Sequence, residues 1–168
     1  AWHKAQGDSI EWFLPLVGKY DRVYSAKVFT FTPNNPYLPS DAICGGTGNS
    51  LSRTLEDRVD RCCPDYSLYN LTYSVGFLTR GCIRRCKWCF VPIKEGGIRA
   101  YADIEEFARH KDVVLMDNNV LAHPHGIEQI EKIIKLGLKV DFNQGLDARL
   151  IDDSIAKLLS KVKWLHPV

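Results

Sequence analysis

The sequence has no long hydrophobic run, no strong excess of either charge and almost no methionine. No apolar stretch approaches the ~18–20 residues that a helix needs to cross a bilayer, and the N-terminus has no basic region followed by an apolar one. The default expectation is a cytoplasmic protein with no membrane among its partners. Twenty-two Lys and Arg stand against 20 Asp and Glu, for a formal net charge of +2 and a pI near 8.2. So mild a bias points neither to nucleic acid nor to an acidic membrane surface. Internal repeats and low-complexity segments are absent as well. The chain opens on Ala1, its sole methionine is Met116, and "KVKWLHPV" stops where a strand begins. A fragment of a longer protein is expected.

What is present supports a packed core. Of 168 residues, 45% are hydrophobic and 25% charged, enough for one domain or two small ones. Texture changes near residue 64. Before it, "YDRVYSAKVFTF" carries Val23, Tyr24, Val28, Phe29 and Phe31, types suited to buried strand positions. "DAIC" reads as a second short buried strand that runs into a turn at Gly45, Gly46 and Gly48, and strand followed by glycine loop is common in open α/β sheets. Residues 64–71 read as a linker, because Pro64 disfavours helix in Cys63, and Asp65 and Asn70 favour turns.

From residue 72 strand and helix alternate. "TYSVGFLT" predicts a strand, and "DIEEFARH" a helix with Asp103 near its start. "DVVLMD" predicts a parallel strand covered on both faces. "GIEQIEKIIKL" places Ile127, Ile130 and Ile134 at helical spacing, with Gly137 to end it and a solvated Lys/Glu face along 128–139. "LKVDFN" is a third strand, "DDSIAKLLSKV" a helix capped by Asp152 or Asp153, and "KWLHPV" a fourth strand starting. Such spacing suits right-handed βαβ units, in a parallel sheet or part of a barrel. Chemistry then gathers in loops after the strands. The cysteine-bearing loop, "DNN" (117–119) and "NQGLDAR" (143–149) would share one rim. Trp2, Trp12 and Trp164 are expected to fill core, and His123 and His125 to lie on the surface.

Three of the six cysteines fall in "GCIRRCKWCF", residues 81–90, at the spacing C-x-x-x-C-x-x-C. Cysteines buried for packing have no reason to cluster among charges, and no export signal favours disulfides. A 4Fe-4S cluster takes one thiolate per iron, so Cys82, Cys86 and Cys89 would leave one iron open to a ligand. Arg80, Arg84, Arg85 and Lys87 would favour thiolates and offset cluster charge. A zinc-stabilised binding module is one rival, with a fourth ligand from His110, His123, His125 or a distant cysteine. A second rival is an electron-transfer protein whose cluster is closed by a cysteine from elsewhere. Cys44, Cys62 and Cys63 read as buried or chance thiols.

"GCIRRCKWCF" resembles the signature loop of the radical S-adenosylmethionine enzymes, C-x-x-x-C-x-aromatic-C, with Trp88 at the aromatic position. The resemblance implies a 4Fe-4S cluster held by Cys82, Cys86 and Cys89, whose fourth iron chelates S-adenosylmethionine. Reduction then cleaves the sulfonium to a 5′-deoxyadenosyl radical, so an electron donor such as flavodoxin or ferredoxin is an implied partner, with the substrate unknown. Trp88 would lie near the adenine. Asp117, Asn118 and Asn119 stand where the family meets the methionine amino group, departing from its usual Gly-Gly-Glu. Asn143, Gln144, Asp147 and Arg149 stand where it contacts ribose and carboxylate; helix capping is the alternative for Asp147. Residues 1–63 resemble part of the Rossmann-like, cobalamin-binding-type domain of one branch, although the D-x-H-x-x-G pattern whose histidine ligates cobalt is missing, which counts against cobalamin. The implied architecture is α/β: a partial Rossmann-like domain, then a partial (β/α) TIM-type barrel over 72–168. The full-length protein is expected to be an enzyme and the fragment inactive.

Overall fold

The computed structural model describes residues 1–166. The chain is α/β and divides into two compact units, Ala1–Cys62 and a second from Cys63 onward. The first unit contains α1 (Trp2–Ala5), β1 (Tyr24–Ala26), β2 (Ile43–Gly45) and α2 (Asp57–Asp60). β1 and β2 run parallel, with Tyr24 opposite Ile43. The glycine turn after β2 lies directly on the chain leaving β1: Gly48 N donates to Lys27 O at 2.8 Å, and a Cβ on Gly46 or Gly48 would collide with the carbonyl of Lys27 or Phe29.

The expected burial of this unit is not found. No residue from 1 to 62 is buried; Tyr24, Val28, Phe29, Ile43 and Trp12 are exposed, and Phe31 is 81% exposed. Trp2 is only half-buried. Two three-residue strands make too small a sheet to cover such side chains, so β-forming composition did not translate into core.

The second unit begins with a 3₁₀ turn at Tyr66–Tyr69, capped by the Asp65 side chain. It lies in the segment read as a linker, yet Tyr66 is buried and its hydroxyl donates to Phe107 O at 2.9 Å and lies 3.1 Å from Val75 O. Then follow β3 (Ser74–Gly76), β4 (Thr79–Arg80), α3 (Val91–Lys94), β5 (Arg99–Ala100), α4 (Ile104–Phe107), β6 (Asp112–Leu115), α5 (Pro124–Leu136), β7 (Lys139–Phe142), α6 (Asp153–Leu159) and β8 (Lys163–Trp164). β3, β6, β7 and β8 form one sheet in that order, every neighbouring pair parallel. β4 and β5 make a separate antiparallel ribbon.

Ile104 and Phe107 of α4 and Ile130 and Ile133 of α5 pack with Val113, Leu115 and Val140 of the sheet into one core. Ile127 and Ile134 flank it partly buried, while Glu128, Glu131 and Lys135 face solvent. β6 is not covered evenly on both faces as expected: Val113 and Leu115 are buried and Val114 is half-buried, because both helices lie on the first face. α4 stops earlier than its sequence pattern, since Arg109 N and His110 N donate to Ser74 Oγ at 2.8 and 3.1 Å instead of continuing the helix. Arg109 in turn donates to the carbonyls of Glu105, Glu106 and Ala108, satisfying the helix end. Trp164, expected in core, is exposed on the short edge strand β8, its ring 5.5 Å from that of Phe142. The expected continuation of that strand to residues 167–168 lies outside the described residues.

Candidate functional site

The loops after β3, β6 and β7 meet. The chain leaving β3 is first held by Asp117, which follows β6 and is 3% exposed. Its carboxylate accepts from Thr79 N at 2.5 Å, Thr79 Oγ1 at 2.7 Å and Leu78 N at 3.1 Å. Burial pushes its pKa up, although the bonds from Thr79 and Leu78 pull the other way. Asp117 thus fixes the root of the cysteine loop.

β4 then delivers Arg80 and Gly81. Gly81 has φ +81°, and a Cβ there would collide with the Gly97 carbonyl, so glycine is required by both conformation and space. Cys82 N donates to Gly96 O at 3.4 Å, and a tight turn joins Cys86 O to Cys89 N at 3.0 Å. All three thiols are free; Cys86 is exposed, Cys82 and Cys89 half-buried. Cys82 Sγ accepts from Arg84 N at 3.3 Å and from Asn119 Nδ2 at 3.6 Å.

Asp147, after β7, completes the arrangement. Its side chain is 8% exposed and accepts from Arg149 Nε at 2.7 Å, Arg84 Nε at 2.9 Å and Asn119 Nδ2 at 3.3 Å. The hydrogen bonds from Arg149, then Arg84 and Asn119, hold this carboxyl well below the usual carboxylate range against the opposing effect of burial. Arg149 is held protonated more firmly, first by Asp147, with the sulfurs of Cys86 and Cys82 adding in the same direction. Asn119 Oδ1 is buried and has no hydrogen-bond partner among the described residues, an arrangement that costs free energy unless something fills it.

Of the residues singled out from the sequence, Cys82, Asn119, Asp147 and Arg149 therefore come together. Asn118 Nδ2 turns instead to Glu95 Oε2, at 3.0 Å. Asn143 Nδ2 reaches Met116 Sδ at 3.4 Å, and Gln144 is exposed. Trp88 is 88% exposed. Asp147 is also a cap: it accepts from Arg149 N at the start of the 3₁₀ turn Ala148–Leu150, so cap and site residue are one side chain.

His123 and His125 have structural partners. His123 Nδ1 accepts from His125 N as the cap of α5, and His125 Nε2 donates to Ala102 O at 3.0 Å. His110 Nδ1 is hydrogen-bonded to Ser74 Oγ at 3.1 Å. Cys62 Sγ lies 3.2 Å from Arg58 O and Cys63 Sγ 3.9 Å from Phe107 O. Among the described residues no three His, Cys, Asp or Glu side chains are gathered closely enough to grip one metal ion.

The sequence reading missed Glu95, which accepts from Arg80, Gly81 and Asn118. Its only signal was an acid just before the pair Gly96-Gly97 in an otherwise basic segment. Arg84 was read as one cation among several, whereas it joins the cysteine loop to Asp147. Comparison with family models, with curated proteins and with solved structures returns no match for this chain.

Proposed function

We propose that the chain carries the cluster- and cofactor-binding part of a radical S-adenosylmethionine enzyme, and that its parallel sheet is the opening of a (β/α) barrel. On this reading the first unit is part of a Rossmann-like, cobalamin-binding-type domain that lacks the D-x-H-x-x-G pattern whose histidine ligates cobalt. The observation that carries it is the meeting of Cys82, from the loop after β3, with Asn119 after β6 and Asp147 after β7. Segments beyond three strands of the sheet are thereby joined through Asn119, whose amide donates both to the Cys82 thiol and to the Asp147 carboxylate.

The donor set fits an anionic iron-sulfur group. Cys82, Cys86 and Cys89 would supply three thiolates, and backbone and amide N–H groups already face Cys82 Sγ, as N–H donors commonly do around cluster sulfurs. A bound 4Fe-4S cluster with one open iron would supply the one-electron cleavage of S-adenosylmethionine.

The chain's own residues have separate tasks. Arg84 and Arg149 offset negative charge at the sulfurs, and Asp147 holds both guanidinium groups in place. Asn119 Oδ1 would accept from an N–H of the bound nucleotide, and the methionine amino group, which keeps its N–H groups when its nitrogen ligates iron, has the right chemistry. Asp117 keeps the loop's root fixed and touches no ligand. Trp88 offers an open ring face for the adenine. An external electron donor and a substrate complete the system. Among the described residues no helix is long and apolar enough to cross a membrane.

Anaerobic reconstitution of the chain with iron and sulfide tests this. The expected result is a brown protein with about four irons per chain, whose reduced electron paramagnetic resonance spectrum changes when S-adenosylmethionine is added. A colourless protein with stoichiometric zinc, or a cluster indifferent to the nucleotide, refutes the reading.

A further inference from the structure

Glu95 closes α3, the helix that follows directly on the last cysteine of the loop. Three donors from two other segments converge on its carboxylate: Arg80 Nη1 on Oε1 at 3.0 Å, and Gly81 N and Asn118 Nδ2 on Oε2 at 2.8 and 3.0 Å. The Arg80–Glu95 pair is largely sheltered from water, where such charge-assisted bonds are stronger than at an open surface. Arg80 is itself fixed, its guanidinium 3.6 Å from the ring centroid of Phe77 and 4.9 Å from that of Tyr101. The residue after Glu95 continues the grip, since Gly96 O accepts from Cys82 N.

Charge makes a carboxylate the fitting group here. From Cys82 to Lys94 the chain holds Arg84, Arg85, Lys87 and Lys94 and no acid, so Glu95 is the first acidic residue after the loop begins. Its two oxygens face donors only. A glutamine would set its own NH₂ group against Arg80 or against the Gly81 and Asn118 donors.

The geometry points to Glu95 as a positioning residue that ties the entrance of the cysteine loop to its exit, and both to the loop after β6. By gripping Arg80 and Gly81 on one side and Asn118 on the other, it fixes where Cys82 stands relative to the rest of the site. The purpose of this latch rests on the cluster reading above; its existence does not.

Residue-resolved alkylation of the full, metal-free chain by iodoacetamide, read by mass spectrometry, tests it in wild type, E95Q and E95A. Cys82 should react roughly tenfold faster in E95A, with E95Q between, as loss of the bonds lets the loop open locally. Cys63, packed against the core of the same unit, should not change. An unchanged Cys82 rate in E95A overturns the proposal. So does a parallel rise at Cys82 and Cys63, which would show general loosening. After anaerobic reconstitution, E95A should retain less than about half the wild-type iron, and equal retention in all three forms again counts against the latch. A wild-type chain that takes up no iron defeats the enzymatic reading alone, and the labelling still decides Glu95.

Discussion

Asp117 and Asp147 stand just beyond two neighbouring strands, and their surroundings act on them in opposite senses. Asp147 faces two guanidinium groups, and its ionised form is favoured. Asp117 sits in the core with neutral donors only, and burial dominates. Replacement separates their roles. Asp117→Ala strands Thr79 N, Thr79 Oγ1 and Leu78 N without an acceptor, and should cost about 3 kcal/mol or more in denaturant unfolding of the second unit. Asp117→Asn keeps an acceptor oxygen and should cost about 1 kcal/mol. Equal, small effects would show that the carboxylate does not hold the loop's root. The sequence identified both aspartates by position after a strand, but could not tell a buried brace from a site residue. That distinction depends on which backbone N–H groups the fold leaves without partners. Arg84 and Asp147, 63 positions apart, are a pair that only folding could reveal.

At the scale of elements, the capping of α4 was visible in advance and its consequences were not. Asp103 accepts from Glu105 N at 2.9 Å, and Glu106 reaches back to Asp103 N at 2.8 Å, a capping box. Lys132 and Gln129 from α5 converge on the same carboxylate, with Lys132 also paired to Glu105. Burial raises the pKa of Asp103, but the bonds from Lys132, Glu105 N and Gln129 outweigh it and the net shift is downward. A carboxyl whose folded pKa lies below its unfolded value of about 3.9 stabilises the fold above that value, and this contribution is lost as pH falls through the folded pKa. Asp103→Ala should therefore cost about 1 kcal/mol at neutral pH and flatten the decline in stability below about pH 4. Asp117 works in the opposite direction: its raised pKa favours the fold in acid and loses that contribution as pH rises through the folded value. An Asp103→Ala chain whose acid unfolding profile matched wild type would contradict the cap's role.

Across the whole molecule, burial is confined to one of the two units. The second has a contiguous core between its parallel sheet and α4, α5 and α6, whereas no residue from 1 to 62 is buried. Local stability follows buried apolar contact. Hydrogen exchange should leave the amides of β6, β7 and Ile130 to Ile134 protected by about a hundredfold or more over those of β1 and β2. Comparable protection in β1 would mean that the first unit has cohesion not visible in its side-chain burial.

The sequence by itself determined the order and kind of the four strands of the parallel sheet and of α4, α5 and α6, the helix ends at Asp103 and Gly137, and which loops carry thiols and polar groups. These follow from local physics: periodicity, capping and backbone preference act within a few residues. The sequence did not show β4, α3 or β5, and it left Asp152 and Asp153 as alternative caps. It misjudged the first unit, because β-branched and aromatic residues say what suits a buried strand and not whether anything will cover it. Only the tertiary structure decided that Asn119 meets both Cys82 and Asp147, that Asn143 and Gln144 stay apart from them, and that Glu95 holds the loop. Those contacts join residues on different loops, and their distances depend on how the parallel strands align and where each loop turns.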